Sequence, residues 1–162
     1  MKVSKKTMRM TLIAVLAGVI VMCGIVYFFH SAFIHKYRID KPIGISIALT
    51  MYANDYEILP PFDKWCDTLI EEADCGPGHF QSIIKPQDGV CGYALNKNLE
   101  GLKFSELPDK TVLVFEAIGP WNQSGGPELA KKWNRKRNYI VFVDRSIAFV
   151  PIEEIDKLKW KP

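Results

Sequence analysis

Residues 10 to 29 read Met-Thr-Leu-Ile-Ala-Val-Leu-Ala-Gly-Val-Ile-Val-Met-Cys-Gly-Ile-Val-Tyr-Phe-Phe, a run without a single charged side chain. A helix of about 20 predominantly apolar residues covers a hydrocarbon core roughly 30 Å thick. In lipid every backbone N–H and C=O needs an internal partner, which makes helix the conformation for such a run. A helix packed in a water-soluble core would show a polar face by its second turn. Here the strongest polar groups are Thr11 and the Tyr27 hydroxyl. The run predicts a transmembrane helix, and the residues behind it suffice for one small domain.

Lys2, Lys5, Lys6, Arg9 and the α-amino group precede the run, and Lys36, Arg38 and Lys41 follow it. Basic residues favour the cytoplasmic side. The balance places residues 1–9 in the cytoplasm as a basic tail and the bulk of the chain outside it. No Ala-x-Ala cleavage site follows the apolar run, and Met22 stands where a small residue would precede a lipid-modified Cys23. The helix is thus expected to stay attached, with the lipid bilayer as its partner. The net charge is +3, but by difference residues 42–162 carry −3. The basic character belongs to the membrane flanks, and no nucleic-acid partner is expected.

Four segments follow: the tail 1–9, the transmembrane helix and interface 10–34, a stem with an amphipathic helix 35–61, and an extracytoplasmic α+β domain 62–162. His30 and His35 fall at the expected interface, where an amphipathic ring sits among headgroups. Pro42 is expected to kink or restart the helix. Ile43, Ile47 and Met51 share one helical face with Thr50 and Asn54, so residues 43–56 are expected to dock the domain through that face. Pro60-Pro61 ends the helix. Trp65, Leu69, Ile70 and Ala73 predict a helix over 64–73, stopped by Gly76-Pro77-Gly78. Strands are expected at 80–84, 91–95, 111–116, 138–143 and 146–150, with a turn at 87–89 and a loop over 120–127. Asp144-Arg145 has the length of a two-residue hairpin turn, but Arg tolerates the φ > 0 of a type I′ turn poorly, which leaves a longer or different loop open. Pro151, Glu153-Glu154 and Lys157 to Lys159 mark a closing helix.

Catalytic patterns do not assemble: there is no Gly-x-Ser-x-Gly, no His-Glu-x-x-His and no phosphate-binding or dinucleotide glycine loop. The chain is expected not to be an enzyme and to need no cofactor. Glu71-Glu72 and Asp74 read as solvated carboxylates at a helix end. Cys66, Cys75 and Cys91 admit one disulfide with an odd thiol left over, and spacing does not say which two pair. A three-Cys zinc site with His79 can be written, but it lacks the short Cys-x-x-Cys pair; no metal is expected. Lys131-Lys132-Trp133-Asn134-Arg135-Lys136-Arg137 is a concentrated basic run, read as a solvated turn with a lipid-headgroup contact as its best function. Trp65 and Trp160 lie in apolar patterns and are expected in the core. Trp121 and Trp133 bracket the 120s loop and remain open as a ligand surface, a carbohydrate among the options.

Several pieces then recur in order: Thr11-Leu12-Ile13; Ile43-Gly44 with Ala48-Leu49 and Tyr52-Ala53; Tyr93-Ala94-Leu95-Asn96; residues 111–116; Gly125-Gly126-Pro127-Glu128-Leu129; and Asp144 with Phe149-Val150. This order resembles the type IV pilin-like proteins, including the pseudopilins of type II secretion. More narrowly, it is similar to the pseudopilin-like group known from planctomycetes. The resemblance implies a pilin-like α+β fold, in which an N-terminal helix packs on a small antiparallel sheet, in a bacterial inner membrane. It also implies other pseudopilin or secretion-system subunits as partners.

The departures are informative. The family's processing site places Gly before Phe, whereas these positions read Arg9 and Met10; Arg adds bulk and charge at the bond that prepilin peptidase cuts. The family's membrane Glu, implied to pair with a neighbouring subunit's new amine, corresponds to Ala14. An unpaired carboxylate in lipid is costly, so losing the cut and losing the Glu belong together. Near the C-terminus the family's His, Gly and His correspond to Asn134, Arg145 and Ser146, and no role resting on them carries over. The expectation is a non-catalytic structural or accessory subunit of a type II secretion or type IV pilus-like system, unprocessed by prepilin peptidase. The alternative is a membrane-tethered module that binds an extracytoplasmic ligand such as a carbohydrate.

Overall fold

A single helix, α1 (Lys5–Tyr56), occupies the first third of the chain. The computed structural model describes residues 5–82, 87–132 and 136–162; within α1, side chains are described at 15–31, at Phe33 and from Ile39 onward. The chain divides into two units, Met1–Tyr37 and Arg38–Pro162, with the boundary inside α1. The described residues of the first unit are all helix. The second is α+β, and the helical part of the segment expected at 35–61 belongs to it from Arg38 on.

Pro42 does not interrupt α1, contrary to the expected kink or restart. A proline inside a helix forfeits one backbone donor. Here Pro42 itself is buried, and so are Ile45, Ala48, Leu49 and Ala53 just behind it. That burial outweighs the lost bond. The face that packs also differs from the expected one. Ile43, Ile47 and Met51 are exposed, while Ile45, Ala48, Leu49 and Ala53, at the same helical spacing, carry the contact. The alanines let the backbone of α1 approach its neighbours more closely than a stripe of large side chains would.

The sheet has five strands: β1 (Val90–Asn96), β2 (Val112–Pro120), β3 (Ser124–Gly125), β4 (Arg137–Phe142) and β5 (Ile147–Pro151), in the order β3-β1-β2-β4-β5. All pairings are antiparallel except the short β1–β3 bridge. The strands expected at 91–95, 111–116, 138–143 and 146–150 are present within a residue or so, β2 running on to Pro120. Phe80 to Ser82 is not strand, and Ile83-Ile84, the rest of that expected strand, lie outside the described residues. The 120s are not wholly loop: they contain β3 and the start of a helix that sequence reading missed, α3 (Pro127–Lys132).

Strand alternation sends side chains to two cores. Cys91, Tyr93 and Leu95 join Ile45, Leu49, Trp65, Leu69 and Phe80 on one face; Ala94, Phe115 and Ala117 join Ala130, Ile140, Ile155 and Trp160 on the other. Helix α2 (Trp65–Glu72) belongs to the first core. The second core includes residues of α3 and of the closing segment Ile152–Lys157, which is 3-10 rather than α-helical. Trp65 and Trp160 are core residues, as their patterns predict.

Two local features shape the sheet. A Cβ on Gly92 would lie 2.7 Å from the Ser82 Cα, so only glycine admits the passage of Ser82 over β1, where the ladder register shifts between Cys91 and Tyr93. The β4–β5 hairpin pairs Val141 with Ile147, and the Arg145 N–H donates to Phe142 O at 2.9 Å. The Phe142 N–H donates to Ser146 O, so the loop is Val143-Asp144-Arg145, one residue longer than a two-residue turn, the longer loop that the poor fit of Arg145 leaves open. Arg145 takes the left-handed position at φ 64°, which costs an Arg about 1–2 kcal/mol relative to its right-handed conformation. Asp144 offsets this by accepting from the Ser146 N–H at 2.9 Å and from Lys110. Those donors, Lys110 first, hold its carboxyl down at about 2.

Candidate functional site

The most extensive unusual surface is on α1. Val15, Leu16, Val19, Ile20, Val21, Met22, Val26, Tyr27, Phe28 and Phe29 are all more than half exposed. Successive residues of a helix point about 100° apart, so consecutive exposed positions such as 19–22 show that the apolar surface covers the whole circumference. In water such a surface has nothing to offset its hydration cost of about 25 cal/mol per Å². Among the described residues no helix is long and apolar enough to cross a membrane. Those side chains begin at Val15, so the statement leaves out Met10 to Ala14 of the run. The side chains of Arg9, Met10 and Ala14, the altered processing positions, likewise lie outside the described residues.

A second cluster joins α2 to the segment after β2. The Asp67 carboxylate accepts from the Trp121 indole N–H at 2.7 Å and from Asn122 Nδ2 at 2.6 Å. The Trp65 indole N–H donates to Gln123 O at 3.0 Å, and the Cys66 N–H to Asn122 Oδ1 at 2.8 Å. Gln123 Nε2 lies within hydrogen-bonding distance of three carbonyl oxygens, those of Cys91, Tyr93 and Ala117, at 2.8–3.3 Å. Three consecutive residues, Trp121 to Gln123, thereby fasten α2 to β1 and β2. None of Asp67, Asn122 or Gln123 had been singled out from the sequence, because their partners are backbone groups and side chains far along the chain.

Trp121 is half-buried, its ring edge packed on Phe80 with centroids 5.6 Å apart. Its remaining surface lines an open depression of about 420 Å³ with Gln81, Gln87, Asp88 and Gly89. Trp133, the other half of the expected ligand surface, lies outside the described residues together with Asn134 and Arg135. In the rest of the basic run, Lys131 pairs with Asp156 at 2.8 Å and Arg137 stands over the Phe149 ring, while Lys132 and Lys136 are exposed.

The cysteines separate into a pair and a single residue. Cys66 Sγ and Cys91 Sγ are 3.9 Å apart, both fully buried, while Cys75 is buried elsewhere in the same core. Burial pushes the Cys66 thiol far up, and the hydrogen bond it shares holds Cys91 lower; Cys75, buried beside the Asp74 charge, is raised to about 11. Among the described residues no three His, Cys, Asp or Glu side chains come together as a metal-holding group. Glu71 and Glu72 are exposed, the latter accepting from the Tyr56 hydroxyl at 3.2 Å. Comparison with family models, with curated proteins and with solved structures finds no match.

Proposed function

We propose that the chain is a non-catalytic, single-pass membrane protein, anchored in a bacterial inner membrane by residues 10–29 with its α+β unit outside the cytoplasm. It acts as a pseudopilin-like structural or accessory subunit of a type II secretion or type IV pilus-like system. The observation that carries this reading is the fully apolar, fully exposed circumference of α1 from Val15 to Phe29, continuous in backbone with the helix that enters the core of the α+β unit. Lipid is the medium in which that surface costs nothing. In the second unit the buried Asn96, Gln123 and Asn138 donate to backbone carbonyls and so brace the fold.

Arg9 and Ala14 stand where pilus-type processing and assembly need Gly and Glu, so the protein works uncut. Amino-terminal sequencing of the membrane-purified protein is expected to read from Met1 or Lys2. A mature chain beginning at Met10 would overturn the unprocessed state and return the protein to the ordinary filament-forming class.

The depression beside Trp121 favours a second reading, a tethered module for an extracytoplasmic carbohydrate, since a partly exposed aromatic ring flanked by Gln and Asp side chains can stack against a sugar ring and hydrogen-bond its hydroxyls. On that reading the purified protein is retained on a glycan array and Trp121→Ala abolishes retention; equal signals from both proteins would remove it.

A further inference from the structure

Cys66 lies in α2 and Cys91 in β1, twenty-five positions apart in the chain, yet their sulfurs are in contact at 3.9 Å. Both backbones are held in place by neighbouring residues of one segment: Asn122 Oδ1 accepts from the Cys66 N–H at 2.8 Å, and Gln123 Nε2 donates to Cys91 O at 3.3 Å. Cys75 has no sulfur neighbour among the described residues, and its own backbone N–H is tied to Leu69 O at 3.1 Å. We infer that Cys66 and Cys91 form a disulfide that cross-links α2 to β1, with Cys75 left as the unpaired buried thiol. The pairing that spacing alone left open among three cysteines is thereby assigned.

The step is thiol–disulfide exchange with an external disulfide, either glutathione disulfide or the disulfide of an oxidoreductase. One cysteine, as thiolate, attacks a sulfur of that disulfide, forming a mixed disulfide and releasing the first external thiol. The second cysteine then attacks the protein sulfur of the mixed disulfide. The Cys66–Cys91 bond forms and the second external thiol leaves. Two electrons and two protons pass from the pair to the external disulfide, which ends as two thiols. Both are free thiols in the structure, and the bond brings the sulfurs from 3.9 Å to the bonded distance of about 2.0 Å. Because both sulfurs are shielded from solvent, exchange belongs to folding or to opening of the short helix α2. Once closed, the bond is sheltered from reductant. In the cell the bond rests on the proposed extracytoplasmic placement, which supplies an oxidising compartment, whereas the refolding test below reads the pairing in the second unit whatever the outcome of that reading.

The test refolds the full-length chain from denaturant into detergent micelles in a buffer of reduced and oxidised glutathione. Remaining thiols are then alkylated under denaturing conditions, and the digested protein is read by mass spectrometry. The expected result is one dominant linked peptide pair, Cys66 with Cys91, and alkylated Cys23 and Cys75. The Cys75→Ala variant forms the same link. The oxidised form melts roughly 10 °C above the same protein after reduction, as expected for a cross-link across a loop of this length. Dominant pairing through Cys75, four alkylated cysteines, or a melting point unchanged by reduction would each overturn the assignment.

Discussion

On the proposed membrane reading, placing arginine at both Val19 and Met22 is expected to remove the protein from lipid. Both side chains are more than half exposed, one turn apart in the middle of the apolar run. Each arginine at the centre of a membrane helix costs about 2.5–3.5 kcal/mol on insertion scales. Together they shift partitioning by roughly four powers of ten, since each factor of ten is about 1.4 kcal/mol. Flotation through a density gradient reads this directly: the unaltered chain rises with the lipid, and the doubly substituted chain stays with the dense fractions. Leucine at the same two positions serves as the control and floats. The substituted residues belong to the first unit, so the near-ultraviolet dichroism of the second unit is expected to be unchanged in detergent. A doubly charged variant that still floats would mean that something other than lipid covers this surface.

Trp65→Ala is expected to produce the largest loss of stability among single changes in the second unit. The ring is fully buried, meets Phe80 edge-on with centroids 5.3 Å apart, and its N–H satisfies the Gln123 carbonyl at 3.0 Å. Truncating a buried Trp costs about 3–5 kcal/mol through lost transfer energy and the cavity left behind. The orphaned Gln123 carbonyl places this case at the upper end. Against a total stability of about 5–15 kcal/mol this is a large fraction, equivalent to a melting point lower by roughly 15 °C. Trp121→Ala, which removes a half-buried ring and one hydrogen bond to Asp67, is expected to cost less than half as much. Thermal denaturation followed by circular dichroism compares the two. A Trp65→Ala protein that melts within a few degrees of the unaltered one would show that α2 is not anchored through this ring.

Much of the second unit was legible in advance, and the misses have physical causes. Trp65 and Leu69 at helical spacing announced α2, and runs rich in β-branched and aromatic residues announced β2 and β4. In α1 two apolar stripes compete, Ile43-Ile47-Met51 and Ile45-Leu49-Ala53. Size favours the first, but the small Ala48 and Ala53 allow the closer packing that decides for the second. Helix α3 carried its own signals, Pro127 at the first position, Glu128 in the first turn and Lys131-Lys132 in the last, within a segment whose glycines read as loop. The poor fit of Arg145 to a type I′ turn pointed to a longer hairpin loop, but the loop's length depends on the strand register, which residue type does not report. The Cys66–Cys91 contact and the three-carbonyl role of Gln123 depend on which strands meet, which residue type does not report.

Trp160 closes the second core. Its indole packs edge-on against Phe115, and its carbonyl accepts from the fully buried Asn96 at 2.9 Å, while Lys159 O accepts from the Val112 N–H at 2.8 Å. The second core thus lacks its keystone until residue 160 has left the ribosome, long after Val15 to Phe29 have emerged. A nascent chain therefore presents its apolar helix before the second core can close around Phe115 and Trp160.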